Sequence, residues 1–414
     1  KEEFKNNILS GLQWLGIDWD NEPQIQSQYI NRHLEIANKL LENGKAFKCI
    51  CSEEELIERR KKINSGDITS KKICVSCAKN TKVQSLEKDY VIRIKIPIED
   101  KEILEDVVQG TVEVNKSEID DYVLVRRDGT PTYMLSVVVD DHDLGVNFII
   151  RGDDHLNNYF RQKFIYEYMN WKIPSYAHIP LIHGEDGSKL SKRHGAVNLI
   201  DLKKQGYLPE AIINNLILLG WSPKKSDDEI VELKNIISIF NINELSKSAS
   251  IFSYKKLDYF NNYYLRQEQN LELFINYCKS NLDLKKYMEK DKKKLIRIFN
   301  IYKKDISKYQ EMVNISEIYF NSNFDVLKNE IFDQEFNICF KNFLDLINSI
   351  KNWEYDIINS EIKGFLKKNN LKFPILGKPI RFLLTNNYNG PSITDIFVIL
   401  GKEQSIKRLN KYKV

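Results

Sequence analysis

Apolar positions recur at helical spacing along much of this chain. Phe4, Ile8, Leu12 and Leu15 fall on one side of a helix that Gly16 stops. That face has no preceding element to bury it against, which predicts further chain upstream. Ile30, Leu34, Ala37 and Leu41 mark a second helix over residues 29–43, ended by Gly44. Residues 208–219 read as a strongly apolar helix with Pro209 in its first turn and Gly220 at its end. Between these helices the period changes. In residues 90–96, Ile92, Ile94 and Ile96 face one side and Val91, Arg93 and Lys95 the other, which predicts a strand. Asp128-Gly129 divides the apolar runs 122–125 and 133–139, a hairpin or tight-turn signal. Residues 137–139 before Asp140-Asp141, and 148–150 before Arg151-Gly152-Asp153-Asp154-His155, predict two adjacent central strands that end in charge. Open α/β sheets bind ligands at such ends, although a salt-bridged rim has the same pattern. From about residue 265 onward alternation vanishes and helical periodicity dominates.

At 414 residues the chain is too long for one core, and two to four domains are expected. Hydrophobic residues at 42% exclude a disordered chain. No apolar run approaches the roughly 18 residues that span a bilayer, and no signal segment opens the chain, so a soluble cytoplasmic protein is expected, with no membrane partner. A net charge of only +4 means that a nucleic acid would be held by local patches. Residues 292–297 and 402–413 are basic helical faces. Each alone is a solvated face; together, on a helical appendage, they fit RNA-backbone contacts.

Four of the six cysteines cluster as Cys49-Ile50-Cys51 and Cys74-Val75-Ser76-Cys77, whereas Cys278 and Cys339 sit alone among apolar residues. Thiols of a cytosolic chain stay reduced, so two close pairs read as a tetrahedral zinc site. A redox Cys-x-x-Cys or four unbound thiols are the rival readings; no strand–motif–helix pattern surrounds Cys74 to favour the redox one. Ser52-Glu53-Glu54-Glu55 predicts a capped helix start just after the first pair.

Lys189-Leu190-Ser191-Lys192-Arg193 packs three cations into five residues, flanked by Gly187 and Gly195. A solvated charged loop is the plain reading. Mobile ammonium groups also suit a loop that closes over a polyphosphate and neutralises departing charge.

In context this pentamer resembles the second signature loop of class I aminoacyl-tRNA synthetases, and the surrounding blocks resemble bacterial glutamyl-tRNA synthetases over nearly the whole chain. Those blocks are Trp14-Leu15-Gly16-Ile17-Asp18-Trp19-Asp20, Ala46-Phe47-Lys48-Cys49-Ile50-Cys51, Asp128-Gly129-Thr130-Pro131-Thr132-Tyr133, Val138-Val139-Asp140-Asp141, Ile150-Arg151-Gly152-Asp153-Asp154-His155-Leu156-Asn157-Asn158, Ser246-Lys247-Ser248-Ala249-Ser250 and Leu400-Gly401-Lys402-Glu403. The resemblance implies an α/β fold: a Rossmann-like parallel sheet lacking its first strand, an inserted acceptor-stem subdomain with a zinc knuckle, and an all-helical anticodon-binding region. The implied division is 1–47 and 128–198 for the catalytic domain, 48–127 for the insertion, 199–264 for a stem-contact domain and 265–414 for the anticodon-binding domain. The implied reaction joins glutamate to tRNA(Glu) through a glutamyl-adenylate, with ATP and Mg2+, in a monomeric enzyme. By the same resemblance Lys192 and Lys189 are catalytic and contact ATP, Asp154 lies near the ATP ribose, Arg151 and Tyr133 bind glutamate, and Cys49, Cys51, Cys74 and Cys77 hold one structural Zn2+.

Three departures from the family pattern follow. The first signature, a His-x-Gly-His-like motif, is not in the sequence, and a second glutamate-binding arginine goes with it; the residues given are expected to be inactive by themselves. The fourth zinc ligand is displaced, with Ser76 where many relatives have a cysteine and Cys77 as its substitute. Val137 stands where some relatives have a pocket asparagine. A paralogue that glutamylates a modified tRNA nucleoside lacks the long carboxy-terminal region, and a glutaminyl-tRNA synthetase carries a β-barrel there. A non-catalytic RNA-binding remnant is the reading from another class, and charging of tRNA(Gln) as well is left open.

Overall fold

The molecule is described by a computed structural model that covers residues 2–66, 72, 74, 76–191, 198–222, 229–231, 233–267, 270–325 and 332–412. Helix α1 (Glu2–Trp14) is followed by α2 (Ile30–Glu42), which buries His33, Ile36, Ala37 and Leu40 along one stripe. Strand β1 (Ala46–Cys49) then runs into α3 (Glu53–Asn64). The Ser52 hydroxyl accepts from the Glu55 backbone while the Glu55 carboxylate accepts from the Ser52 N–H, the expected reciprocal cap. After the short α4 (Thr81–Gln84), β2 (Val91–Ile94) returns antiparallel to β1.

The hairpin of β3 (Lys101–Asp106) and β4 (Gly110–Asn115) belongs to a second sheet, whereas β5 (Val123–Val125) pairs with β2. Next comes α5 (Tyr133–Asp143), then β6 (Phe148–Gly152), α6 (Leu156–Tyr168) and β7 (Ser175–Ile179). The second sheet runs β4-β3-β7-β6, with β7 parallel to both of its neighbours and β4 antiparallel at the edge. This is the expected α/β architecture with one correction. Residues 137–139 are not a strand but the middle of α5; Asp128-Gly129 makes the expected tight turn, closed by an antiparallel bridge between Val125 and Pro131, and the chain then enters a helix instead of a second strand. The valines are β-branched, but burial of Leu135, Ser136, Val138 and Val139 follows the helical period, and α5 packs on α2 and α6. The partner of β6 in the sheet is β7, a segment in which sequence periodicity shows no strand.

Beyond β7, β8 (Ile182–His183) pairs in parallel with β9 (Ser250–Ile251), α7 (Leu199–Gln205) and α8 (Pro209–Ile217) pack with the later α10 (Tyr254–Leu265) around Leu202, Ile212, Leu257 and Phe260, and α9 (Leu233–Ile239) lies against α8. The remaining described elements, α11 (Asn270–Ser280), α12 (Leu282–Tyr302), α13 (Glu311–Phe320), α14 (Gln334–Ser349), α15 (Tyr355–Lys368), α16 (Phe373–Thr385), α17 (Ile393–Leu400) and α18 (Lys402–Leu409), share one aromatic-rich core. None of the described helices is long and apolar enough to cross a membrane.

Part of the two basic faces is engaged within the fold, while Lys292, Lys293 and Arg297 are exposed. In α18 the Arg408 guanidinium is buried and donates to the carbonyls of Leu384, Ile318 and Asn321, and Lys402 and Lys407 reach the carbonyls of Ile350 and Ser322. These cations are spent on ending neighbouring helices and loops. Lys294 likewise lies over the Phe320 ring, and burial lowers its pKa.

One seam joins the two halves of the chain. Gly206, at φ +87°, caps α7, and its carbonyl accepts from the Tyr309 N–H at 3.3 Å, while Gln205 accepts from Gln310 N–H at 3.1 Å. Buried Asn261 accepts from Leu208 N–H and donates to the Ser307 carbonyl across the same seam. A Cβ on Gly206 would meet Tyr309 N at 2.7 Å and is also strained by the left-handed backbone. Gly206→Ala is therefore expected to cost about 2 kcal/mol or more, read as a lowered melting temperature in denaturation of the variant beside the parent.

Candidate active site

Parallel pairing of β6 with β7 sets Arg151 opposite His178, at the carboxy-terminal ends of both strands. Arg151 Nε donates to His178 Nε2 at 3.0 Å and Nη1 donates to Gln162 Oε1 of α6 at 2.8 Å. The guanidinium also lies over the Tyr176 ring, 5.1 Å from its centroid. Its Nη2 is buried with no partner among the described residues, and so is Gln162 Nε2. Two linked donor atoms, both buried and left open, favour an anionic acceptor.

His178 is fully buried, and its Nδ1 lies 2.6 Å from Asp106 Oδ2 at the end of β3. An arginine only donates, so Nε2 accepts, and the imidazole proton resides on Nδ1 and points to Asp106. Asp106 also accepts from the backbone N–H groups of Val108, Gln109 and His178. Burial alone would raise its pKa; the N–H of Gln109 and the His178 ring and backbone outweigh it and hold the carboxyl below its ordinary value. Burial lowers the pKa of His178 in spite of Asp106.

Three further predicted residues meet at the same end of β6. Tyr133 opens α5, is exposed, and has its ring 6.0 Å from that of His155. Asp154 pairs with Lys189 at 3.0 Å, a hydrogen bond that keeps this exposed carboxyl below its ordinary pKa. Lys189 is presented by a turn in which Gly184 N–H binds the Ser188 carbonyl, Gly187 adopts φ +76°, and Asp186 accepts from Ser188 N–H and Oγ–H. Leu190 N–H then closes onto the Ile182 carbonyl. Lys192 and Arg193 lie outside the described residues, as does Gly195. Asp106, His178 and Gln162 were not legible as site residues. The one available signal, a histidine in the short segment 175–179, carries no weight without its partner 72 positions away.

The four clustered cysteines converge, all Sγ atoms lying within 4.8 Å of one another. Cys51 Sγ is 3.6 Å from both Cys74 Sγ and Cys77 Sγ. Thiolates at about 2.3 Å from a tetrahedral zinc stand about 3.8 Å apart, so the donor set fits that ion. The loops are built for it: Gln84 donates to the carbonyls of Lys48 and Cys77 and accepts from Lys48 N–H, and Cys74 N–H donates to Asp121. Thiols so close do not all ionise by themselves. The hydrogen bond from Cys74 draws Cys49 down to about 4, whereas burial pushes Cys51 up to about 12.

Residues 1–259 match the family model of the catalytic domain of class I tRNA synthetases (E and Q), and residues 269–413 match an anticodon binding domain. The site and fold are thus those of a class I aminoacyl-tRNA synthetase. The chain belongs to the class I tRNA synthetases of the E and Q group. It is 36% identical to glutamate–tRNA ligase 2 of Wolbachia pipientis subsp. Culex pipiens (strain wPip), over 99% of this chain and 88% of that protein. It is 38% identical to glutamate–tRNA ligase 1 of Orientia tsutsugamushi (strain Boryong), over 99% of this chain and 86% of that protein. The crystal structure of a glutamate tRNA ligase from Elizabethkingia meningosepticum, in complex with its amino acid, superposes with a TM-score of 0.80 at 26% identity, covering 98% of this chain and 88% of that one.

One carboxylate beside the site has a measurable consequence. Burial and the neighbouring Asp140 raise the pKa of Asp141 to about 6, although Arg151 pulls it down. Folding therefore takes up a proton between pH values of about 4 and about 6, and the stability it contributes falls as pH rises through that window. Asp141→Asn is expected to be more stable than the parent at pH 8 by about 1–3 kcal/mol, with the difference vanishing near pH 4 in parallel denaturation series.

Proposed function

We propose that this protein is a glutamate–tRNA ligase that activates glutamate with ATP and transfers it to tRNA(Glu). The observation that carries this reading is the half-buried guanidinium of Arg151, whose Nη2 has no partner among the described residues, at the same end of β6 as Tyr133, Asp154 and Lys189. An α-carboxylate oxygen of glutamate attacks the α-phosphorus of ATP, the bond to the bridging oxygen breaks, and pyrophosphate leaves. A hydroxyl of the terminal tRNA ribose then attacks the adenylate's carbonyl carbon and expels AMP. Neither step needs a covalent link to a side chain; position and charge neutralisation supply the acceleration. Arg151 binds the carboxylate of the substrate side chain, for which a guanidinium fork is suited. Tyr133 lines the same pocket. Asp154 faces the ATP ribose, and Lys189 and Lys192 meet charge that gathers on the departing pyrophosphate; Mg2+ accompanies the nucleotide.

The four cysteines hold one structural Zn2+, which keeps the insertion folded where it meets the acceptor stem. One zinc per chain is expected by elemental analysis of protein purified without chelator, and Cys74→Ser should lower the zinc content and the melting temperature together. Protein with no bound metal and unchanged stability overturns this assignment.

Pyrophosphate exchange in the full-length protein separates the roles of the two cations. Lys192→Ala should slow exchange by on the order of a hundredfold, about 3 kcal/mol, with little change in the Michaelis constant for glutamate. Arg151→Ala should chiefly raise that Michaelis constant, because the carboxylate it holds does not change charge during the reaction. Equal binding-type defects in both variants contradict the assignment, and charging assays with tRNA(Glu) and tRNA(Gln) decide whether one or both are substrates.

A further inference from the structure

The contacts of Arg151 extend past the substrate pocket into a buried chain that the reaction itself does not use. Its Nε–H is held by His178 Nε2, His178 Nδ1–H is held by Asp106, and Asp106 is in turn held by three backbone N–H groups. Each link dictates the next. The Asp106 carboxylate requires a proton on Nδ1, which leaves Nε2 as a bare acceptor, and the bare acceptor turns Nε toward itself. With Nη1 tied to Gln162, Nη2 is the nitrogen left facing inward without a partner.

We propose that His178, in its neutral Nδ1–H form, is the positioning residue of Arg151, and that adding a proton to His178 withdraws the acceptor and weakens glutamate binding. This rests on Arg151 being the glutamate-binding arginine. A proton on Nε2 would confront the Nε–H donor with a second donor and set an imidazolium 3.0 Å from a guanidinium. The groups that face the ring are Asp106 from β3, Arg151 from β6, Asp153 just after β6, and Tyr176 stacked beside it on β7; Asp141 of α5 and Tyr166 of α6 lie beyond Arg151. The carboxylates favour the imidazolium, whereas Arg151 and full burial oppose it. The pKa of His178 falls below its ordinary value, so binding is complete at neutral pH and is lost as pH falls through the lowered value.

The test is calorimetric titration of the full-length protein with L-glutamate between pH 8 and pH 5.5, where the carboxylates of the ligand stay ionised. Wild-type affinity is expected to be flat at the upper end and to fall at the lower end. With Asp141→Asn in both proteins to remove the carboxyl that titrates beside Arg151 in this range, His178→Gln keeps an acceptor for Arg151 and does not titrate, so its profile should lose the acid limb. His178→Ala should bind about tenfold more weakly at every pH, as loss of one orienting hydrogen bond implies. The 15N shifts of His178 in the unaltered protein, which need no variant to fold, should report the Nδ1–H tautomer at pH 7. An Nε2–H signature, or identical pH profiles for wild type and His178→Gln, overturns the proposal. Arg151→Ala serves as the separate control. If it binds glutamate as wild type does, the reading of Arg151 fails and the proposal fails with it; if it binds weakly while His178→Ala is unaffected, only the proposal falls.

Discussion

A single buried carboxylate organises the catalytic end of the sheet. Asp106 terminates β3, and its oxygens accept from the backbone on both sides of a strand junction as well as from the His178 ring. A buried carboxylate is costly unless its lone pairs are filled, and here four donors fill them. Removing it would leave those donors without acceptors in a low-dielectric interior, so the strand ends, the imidazole and the guanidinium form one unit and not a set of separable contacts. The unpartnered Nη2 of Arg151 is at the end of that unit.

Much of the fold was legible because the helical stripes are long. Residues 29–43 and 208–219 read correctly, as did the Ser52 cap and the helical region after 265, since each rests on local chemistry that tertiary contacts reinforce. The valines at 137–139 misled because β-branching describes local preference, whereas the deciding fact is that Leu135 and Val139 share a buried face one helical turn apart. Strand β7 escaped notice because five mixed residues carry no period of their own. The cysteine pairs were legible from spacing, and their convergence follows from β1 and the turn at Cys77 lying side by side.

The candidate site was legible in Arg151 and in its exposed residues, but not in the buried residues behind them. Tyr133, Asp154 and Lys189 belong to blocks that are distinctive as runs of residues. Asp106, His178 and Gln162 are single residues whose meaning comes from strand register, and register is set by packing across the sheet. A similar limit applies to charge. Arg408 and Lys402 resemble an RNA-facing stripe on a helical wheel, yet they donate to carbonyls within the fold.

The seam at Gly206 bears on how the two halves of the molecule communicate. Backbone meets backbone there, with the Gln310 and Tyr309 N–H groups donating to the Gln205 and Gly206 carbonyls and an asparagine clamp beside them. Such a joint resists slippage, because sliding by one residue would break every bond at once. The helical half is therefore held on the catalytic half in one register, and Asn262, Arg266 and Tyr277 add side-chain bonds to carbonyls across the same joint.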